Sequence, residues 1–300
     1  MKQIAILGPT ASGKSDLALT LAKNHNALIL SIDSLSVYKE IDIASAKPSK
    51  AELSEVTHYG VNAIFPNEPF SVSTFINSYQ QAKEDAIAHH KNLIIVGGTG
   101  FYLKTLLSGL STIPNFSQET LVKTKEMLCD VQKTHQLLYK IDPEYFANIA
   151  DNDRYRLEKM LPIYLETGVS PSQWFKENPP KPIIKNLDLF EIDVKRDILR
   201  QRIQKRTAMM SKSGLIDEIC YLERQYSRGP NAMSAIGIVE VLEYLDGFVS
   251  KEVMIENIVT HTAQLAKRQQ TFNRTQFENQ KLLSVDAIFH EAEAIFNSTT

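Results

Sequence analysis

The sequence has few cysteines, no long apolar run and no excess of positive charge. It therefore lacks the usual features of disulfide-bonded, membrane-spanning and uniformly basic nucleic-acid-binding proteins. Two cysteines occur in 300 residues. Cys129 and Cys220 share no CxxC spacing, so we expect buried, reduced thiols rather than a disulfide or a zinc site. No apolar run reaches the roughly 18 residues of a membrane-spanning helix. The formal net charge of -2 argues against a uniformly basic protein but allows a local basic face. We expect a cytoplasmic protein without membrane attachment.

Short apolar segments alternate with amphipathic helices over the first hundred residues. Gln3–Leu7, Ala27–Asp33 and Asn92–Gly98 are predicted as strands buried on both faces, and Leu187–Asp193 as a later strand of the same sheet. Such alternation is typical of a parallel sheet covered by helices. The sequence therefore predicts an α/β fold with a P-loop NTPase-like parallel core and a helical C-terminal region.

A helical pattern without strands extends from about residue 117 to residue 175. It ends at "NPPKP" (Asn178–Pro182), the strongest linker signal in the chain. We expect residues 1–114 and 183–300 to form the core with its C-terminal helices, and residues 115–182 to form an inserted helical domain. The alternative is that these helices simply cover the sheet.

The stretch "GPTASGKS" fits the pattern GxxxxGK[ST] and lies between a strand and a helix. Its glycines allow the backbone to fold tightly, so that successive N–H groups and the helix N-terminus point at phosphate. Lys14 supplies a mobile positive charge, and the Ser15 hydroxyl is suited to ligate Mg²⁺. The predicted diphosphate-binding residues are Gly8, Pro9, Thr10, Ala11, Ser12, Gly13, Lys14 and Ser15.

The acidic residue that accompanies this loop favours group transfer over hydrolysis. The strand "NLIIVGGTG" ends in glycines and Thr99, without the carboxylate that holds Mg²⁺ in many ATPases. Asp33 instead follows the second strand, at the carboxyl edge of the sheet, where open α/β folds bind ligands. It is well placed there to accept a proton from an incoming group. The alternative role for Asp33 is to cap a turn or a helix.

Five stretches, in this order, resemble the tRNA dimethylallyltransferases (tRNA isopentenyltransferases): "GPTASGKS", "DSLSVYKEIDIASAKP", "VGGTGFYLKTLLSGL", "RIQKRTAMMSKSGLIDEI" and "TAQLAKRQQTFNR". The last four are far more specific than the P-loop alone. The resemblance implies transfer of the dimethylallyl group of dimethylallyl diphosphate to N6 of the adenosine 3′-adjacent to the anticodon. The P-loop would then hold the leaving group. No C-terminal Cys/His pattern is present, which favours the bacterial form.

The resemblance also implies roles for individual residues. Asp33 would be the base, Thr99 and Arg206 would lie at the reacting groups, and Mg²⁺ would sit at Ser15. The partners implied are dimethylallyl diphosphate and the anticodon stem-loop of tRNA, bound by a monomer. The residues implied to contact tRNA are Asp33, Ser34, Leu35, Ser36, Tyr155, Arg156, Lys159, Arg202, Gly237, Lys267 and Arg268.

The chain departs from the family pattern at several of these contacts. Ser36 stands where glutamine is frequent. Ile238 and Val239 follow Gly237 in place of an aromatic and a basic residue. In the last stretch, arginine, tryptophan and phenylalanine are replaced, respectively, by Ala263, Phe272 and Asn273. These changes leave the predicted chemistry intact but alter the RNA contacts.

Basic residues cluster after the later strand, with nine Lys or Arg against four Asp or Glu between residues 195 and 228. This density fits a surface that follows an RNA backbone, although a solvated helix face is the plainer explanation. Three other functions stay open from the sequence: a small-molecule kinase that holds ATP, a transferase that prenylates free AMP, and a non-catalytic RNA-binding protein with a vestigial P-loop.

Overall fold

The computed structural model describes residues 1–298 and contains a six-stranded, fully parallel sheet. The spatial order of the strands is β3-β2-β4-β1-β5-β6. This confirms the predicted α/β fold class. The strand bounds are β1 (Gln3–Leu7), β2 (Ala27–Ser31), β3 (His58–Tyr59), β4 (Asn92–Gly97), β5 (Asp188–Ile192) and β6 (Lys281–Leu283).

The chain divides into two compact units, one of residues 1–106 and 184–300 and one of residues 107–183. The sequence-based boundaries were 115 and 182. The helices of the first unit are α1 (Lys14–Asn24), α2 (Lys50–Glu55), α3 (Val72–Ala88) and α4 (Gly100–Ser108), which runs two residues past the boundary. After the second unit they continue with α10 (Arg196–Lys212), α11 (Leu215–Tyr226), α12 (Ile238–Leu245), α13 (Lys251–Gln276) and α14 (Val285–Asn297).

The sheet is buried on both faces because its central strands consist of aliphatic residues. On one face, alternate residues such as Ile4, Ile6 and Ile94 pack with α1 and α14. Burying such side chains stabilises the fold by about 1.5–3 kcal/mol each. The parallel register aligns the carboxyl ends of β1, β2, β4 and β5 at one edge, where the P-loop and Asp33 begin.

A second apolar cluster supports the segment that follows β2. Val37, Tyr38 and Ile41 are buried against α11, α12 and α13, with Leu215 and Ile219 on the facing helix. The helices after β5 therefore do more than cover the sheet. They form the support on which one side of the candidate site rests.

The second unit is entirely helical within residues 107–183 and has its own core. Leu128, Leu138, Phe146, Leu157 and Leu161 are buried together. Its helices are α5 (Gln118–Met127), α6 (Val131–Ile141), α7 (Pro143–Phe146), α8 (Arg154–Thr167) and α9 (Pro171–Glu177), and each begins at a Ser or Asp whose side chain accepts a hydrogen bond from the first turn.

The expectation of buried cysteines is wrong. Cys129 and Cys220 are both exposed free thiols. Cys129 follows the end of α5, and Cys220 lies on the solvent side of α11, where Ile219 and Leu222 occupy the buried positions. Helical periodicity therefore accounts for the exposure of Cys220, whereas Cys129 is exposed in the turn that follows α5. Within residues 1–298, no helix combines the length and apolar character needed to cross a membrane.

Candidate active site

The carboxyl edge of the sheet opens into a cavity of about 440 Å³ within the first unit. Most of its lining comes from the P-loop with α1, the segment after β2, the glycine-rich end of β4, residues 234–237 before α12, and one face each of α10 and α13. The lining residues with chemical function include Thr10, Lys14, Ser15, Asp33, Thr99, Arg206, Gly237 and Gln269.

The P-loop adopts the tight turn that its glycines predict. Gly13 has φ 96°, a conformation that L side chains rarely adopt. A Cβ at Gly8 would lie 2.7 Å from Ser12 Oγ, so a side chain there would displace the loop. Gly13, the N-cap of α1, makes no side-chain capping hydrogen bond, so within residues 1–298 the amide N–H groups at the start of α1 can donate to a ligand.

Lys14 is a cation with few polar partners. Its Nζ donates to Pro9 O at 3.2 Å. Burial lowers the pKa of Lys14 to about 8, while the carboxylate of Asp33 opposes that shift and the guanidinium of Arg206 adds to it. Burial also lowers the pKa of Arg206, against the attraction of Asp33 and Asp16. Two desolvated cations thus face the cavity, and the negative charge of an anionic ligand would stabilise their charged forms.

Two arginines on α10 donate hydrogen bonds to the P-loop. Arg202 Nη1 donates to Ser12 O at 2.9 Å, and Arg206 Nη1 donates to Thr10 Oγ1 at 3.4 Å. They are one helical turn apart and lie on one face, as their spacing predicts. Arg206 lines the cavity. Arg202 is exposed and contacts the P-loop without lining the cavity.

Gln269 on α13 is a site residue that the sequence reasoning missed. Its Oε1 accepts a hydrogen bond from the Thr10 N–H at 3.0 Å. Its amide also lies against Gly98, where a Cβ would come within 2.4 Å of Gln269 Nε2. The neighbouring Lys267 and Arg268, which were predicted to contact tRNA, are exposed and do not line the cavity. Helical spacing could have found Gln269, since Thr262, Leu265 and Gln269 form one stripe that lines it.

The structure shows the capping role of Asp33 and leaves its other carboxylate oxygen available for a second role. Its Oδ1 caps the turn that follows β2, accepting from Leu35 N at 2.9 Å and from Ser36 N at 3.2 Å. Its Oδ2 makes no hydrogen bond within residues 1–298, and the residue lines the cavity. The cap fixes the carboxylate, so that one oxygen holds the turn and the other is available to a ligand.

The remaining predicted positions divide between cavity and surface. Thr99 and Gly237 line the cavity, and the Gly237 N–H is held by Glu240 Oε2 at 2.6 Å. Ser34, Leu35 and Ser36 also line it. In the second unit, by contrast, the predicted tRNA contacts form an exposed patch on α8 consisting of Tyr155, Arg156 and Lys159.

The residues at the start of α1 fit a Mg²⁺ ion that arrives with a phosphorylated ligand. Ser15 lines the cavity, as do the carboxylates of Asp16 and Asp33. These are oxygen donors of the kind that Mg²⁺ prefers, and the ion usually keeps waters and substrate phosphates as its other ligands. Across the described residues, no cluster of three or more His, Cys, Asp or Glu could hold a metal by itself. A metal here would therefore need a phosphorylated ligand and water for most of its coordination.

The sequence matches two family profiles, one described as IPP transferase over residues 36–276 and one described as isopentenyl transferase over residues 1–63. The first covers well over half of the 300 residues. The chain belongs to the IPP transferase family. It is therefore a transferase, and the family resemblance inferred from the five motifs is confirmed.

Bacterial relatives match over nearly the whole chain. A tRNA dimethylallyltransferase from Sulfurimonas denitrificans is 57% identical over 278 residues, which is 93% of this chain and 94% of that protein. One from Sulfurovum sp. is 52% identical over 280 residues, with 93% of each chain covered. The departures at Ile238, Val239 and Asn273 therefore occur in a chain that is otherwise similar to this family throughout.

Solved structures of the family share the fold. A tRNA isopentenylpyrophosphate transferase from Bacillus halodurans has a TM-score of 0.71 at 28% identity, with 98% of this chain and 96% of that chain covered. A eukaryotic dimethylallyltransferase captured acting on tRNA has a TM-score of 0.83 at 28% identity, with 95% of this chain and 74% of that chain covered.

Proposed function

We propose that this protein transfers the dimethylallyl group of dimethylallyl diphosphate to N6 of the adenosine 3′-adjacent to the anticodon, in tRNAs that read codons beginning with U. Diphosphate is released. The observation that carries the proposal is the cavity in which Lys14 and Arg206 lie with the unpaired Oδ2 of Asp33. Membership of the IPP transferase family supports the choice of donor and acceptor.

In the proposed reaction, a carbon–nitrogen bond forms as a carbon–oxygen bond breaks. The N6 lone pair of adenosine attacks C1 of the dimethylallyl group, and the C1–O electron pair leaves with the diphosphate. Adenine N6 is a weak nucleophile because its lone pair is delocalised into the ring. Asp33 Oδ2 accepts the N6 proton as the new bond forms, a contribution of about 10²–10⁴ in rate for general bases.

The P-loop stabilises the leaving group. Departing diphosphate gains negative charge at the oxygen released from C1, and Lys14, Arg206 and the amides before α1 would donate hydrogen bonds to the diphosphate. Ser15 and the diphosphate oxygens would hold Mg²⁺, which would supply further positive charge to the leaving group. Thr99 lies at the end of β4, where its hydroxyl could bind the diphosphate or the accepting base.

The tRNA contacts that we propose use both units. In the first unit they are the exposed face of α10 with Arg202, the turn after Asp33, Gly237, and Lys267 with Arg268 on α13. In the second unit they are the exposed residues of α8: Tyr155, Arg156 and Lys159. The target base has to be turned out of the stacked anticodon loop before N6 can reach the cavity. The basic residues would contribute by contacting the backbone phosphates.

Incubation with dimethylallyl diphosphate, Mg²⁺ and unmodified tRNA, followed by nucleoside mass spectrometry, tests the proposal. We expect one adenosine per susceptible tRNA to gain the dimethylallyl mass. Parallel reactions with free AMP and with ATP as the donor separate the competing functions. Prenylated AMP without modified tRNA would favour the AMP transferase, and ATP consumption without any prenyl transfer would favour the kinase.

We also propose that the protein acts as a cytoplasmic monomer. In a monomer, one chain makes all the contacts with the anticodon loop. Size-exclusion chromatography with light scattering at assay concentration should give the mass of one chain, 33.9 kDa. A stable dimer would contradict this part of the proposal.

A further inference from the structure

One wall of the cavity is formed by the DIASAK segment, residues 42–47. Ala44, Ser45, Ala46 and Lys47 line the cavity together with Asp33. The segment lies between the turn after β2 and the start of α2, and it contains two backbone hydrogen bonds, from Ala46 N to Ile43 O at 3.0 Å and from Lys47 N to Asp42 O at 3.2 Å. Neither bond uses the N–H groups of Asp42, Ile43 and Ala44, so these three donors need the support of partners from elsewhere in the chain.

A single carboxylate supplies most of that support. Glu218 Oε2 accepts hydrogen bonds from Asp42 N at 2.9 Å and from Ile43 N at 2.7 Å, and its Oε1 accepts from Ala44 N at 2.9 Å. Three consecutive backbone N–H groups thus converge on one side chain from a residue more than 170 positions away in sequence. Hydrogen bonds to an ionised acceptor are roughly twice as strong as neutral ones.

Glu218 is held firmly enough to act as an anchor. It lies in the first turn of α11, where its N–H donates to Gly214 O at 2.9 Å. Leu215 and Ile219, on either side of it, are fully buried in the cluster that also contains Ile41. The carboxylate is therefore positioned by the apolar core beneath the segment.

The backbone on both sides of the anchored amides is strained. Glu40 has φ 66° and Ala46 has φ 48°, conformations that non-glycine residues rarely adopt. Lys47 fixes the far end of the segment, donating to Asn62 Oδ1 at 2.7 Å and to Asp42 Oδ1 at 2.8 Å. A strained segment of this kind persists only where its surroundings determine its conformation.

We infer that Glu218 is a positioning residue that fixes the DIASAK segment and thereby the shape of the acceptor side of the cavity. The inference rests on the proposed function, because it assigns the segment to the side where Asp33 receives the acceptor. Glu218 does not line the cavity itself. Its removal should therefore weaken use of the acceptor while leaving the P-loop and its diphosphate intact.

Glu218→Gln is the variant that tests this role. An amide has one accepting oxygen and an N–H₂ group that would face a backbone N–H, so it cannot serve all three donors. Asp217→Asn is the matched control, because Asp217 is an exposed acid in the same helical turn that makes no hydrogen bond with residues 42–44. It also reproduces the loss of negative charge at the start of α11.

The first readout is amide hydrogen exchange of a peptide that contains residues 42–44. We expect exchange to become at least tenfold faster in Glu218→Gln and to stay unchanged in Asp217→Asn. The second readout is kinetic. In Glu218→Gln we expect KM for tRNA to rise about tenfold, since small displacements of positioning groups have effects of this size. The affinity for dimethylallyl diphosphate should stay within twofold of the parent.

Three results would overturn the inference. Unchanged exchange in Glu218→Gln would show that the carboxylate does not hold the segment. Faster exchange with an unchanged KM for tRNA would show that the segment does not shape the acceptor side, while the proposed function would stand. Absence of tRNA prenylation by the parent protein would remove the proposed function and the inference with it, and the exchange data would still report on the structural contact.

Discussion

The two sides of the cavity are built in different ways. The P-loop side depends on a short stretch of sequence, in which Gly8, Gly13 and Lys14 define the turn and its charge. The side after β2 has Asp33 at the end of a strand, but the DIASAK segment beyond it depends on Glu218 in a distant helix. The P-loop turn can therefore be predicted from local sequence, whereas the conformation of the DIASAK wall depends on tertiary contacts.

Even the P-loop has distant support, although of another kind. Arg202, Arg206 and Gln269 contact its backbone or Thr10 from α10 and α13. These contacts adjust a turn whose shape the glycines already set, whereas Glu218 accepts hydrogen bonds from three consecutive backbone N–H groups of the DIASAK segment. Substitutions on the two sides should therefore separate binding of the diphosphate from use of the acceptor.

Lys14→Ala should have the largest effect. It removes a cation whose pKa burial lowers to about 8 and whose one hydrogen-bond partner within residues 1–298 is Pro9 O. We expect kcat/KM for dimethylallyl diphosphate to fall by about a thousandfold, because the interaction strengthens as the leaving group gains charge. Lys23→Ala is the control, since Lys23 lies on the same helix and pairs with Glu55 at the surface. Equal activities of the two variants would contradict a phosphate role for Lys14.

Gly98→Ala should lower kcat/KM by an intermediate amount, because it displaces Gln269. The added Cβ would lie 2.4 Å from Gln269 Nε2 and would push that side chain away from Thr10 N. We expect kcat/KM to fall about tenfold, with little further loss when Gly98→Ala is combined with Gln269→Ala.

The control for this pair is Gly229→Ala, where the nearest atom to the new Cβ is 3.9 Å away. It should have parental kinetics. If the fall in kcat/KM of the double variant equalled the product of the two single falls, the substitutions would act independently. Gly98→Ala would then not act by displacing Gln269.

Glu191→Gln should have the smallest effect, on stability alone. Burial raises the pKa of Glu191, and its Oε2 and the Oδ1 of Asn273 are both buried without a hydrogen-bond partner. Because the folded-state pKa is raised, the carboxyl stabilises the fold most at low pH, and that contribution is lost as pH rises through the raised value. A glutamine oxygen can still accept from Asn273 Nδ2, as Glu191 Oε1 does at 3.2 Å, and glutamine carries no charge at any pH.

Thermal unfolding at two pH values measures this effect. We expect the Tm of Glu191→Gln to exceed that of the parent by about 2–4 °C at pH 8 and the two to converge near pH 4.5. Glu278→Gln, at an exposed position, should leave Tm unchanged at both. A lower Tm for Glu191→Gln at pH 8 would mean that the ionised carboxyl is stabilising, contrary to its surroundings.

The sheet and the P-loop could be predicted because their signals are local. Alternating apolar strands and helices indicated β1, β2, β4 and β5 within two residues of their observed bounds. The short strands β3 and β6 were not predicted, since two- and three-residue strands carry too little pattern to be distinguished from loops.

The support of the site could not be predicted in the same way. Gln269 lies within the motif "TAQLAKRQQTFNR", but the positive charges of Lys267 and Arg268 made these neighbours the predicted functional residues. Glu218 also lies within a motif, but the sequence contains nothing that pairs it with the amides of residues 42–44. Such contacts become visible only when the fold brings distant residues together.

The central claim is that one cavity holds a diphosphate leaving group on one side and a proton-accepting carboxylate on the other. Asp33→Asn, measured for both single-turnover prenyl transfer and dimethylallyl diphosphate affinity, tests it most directly. The asparagine oxygen can still accept from Leu35 N and Ser36 N, so the turn should persist. We predict a transfer rate about a hundredfold lower with an affinity unchanged within twofold. A parental transfer rate in Asp33→Asn would contradict the account.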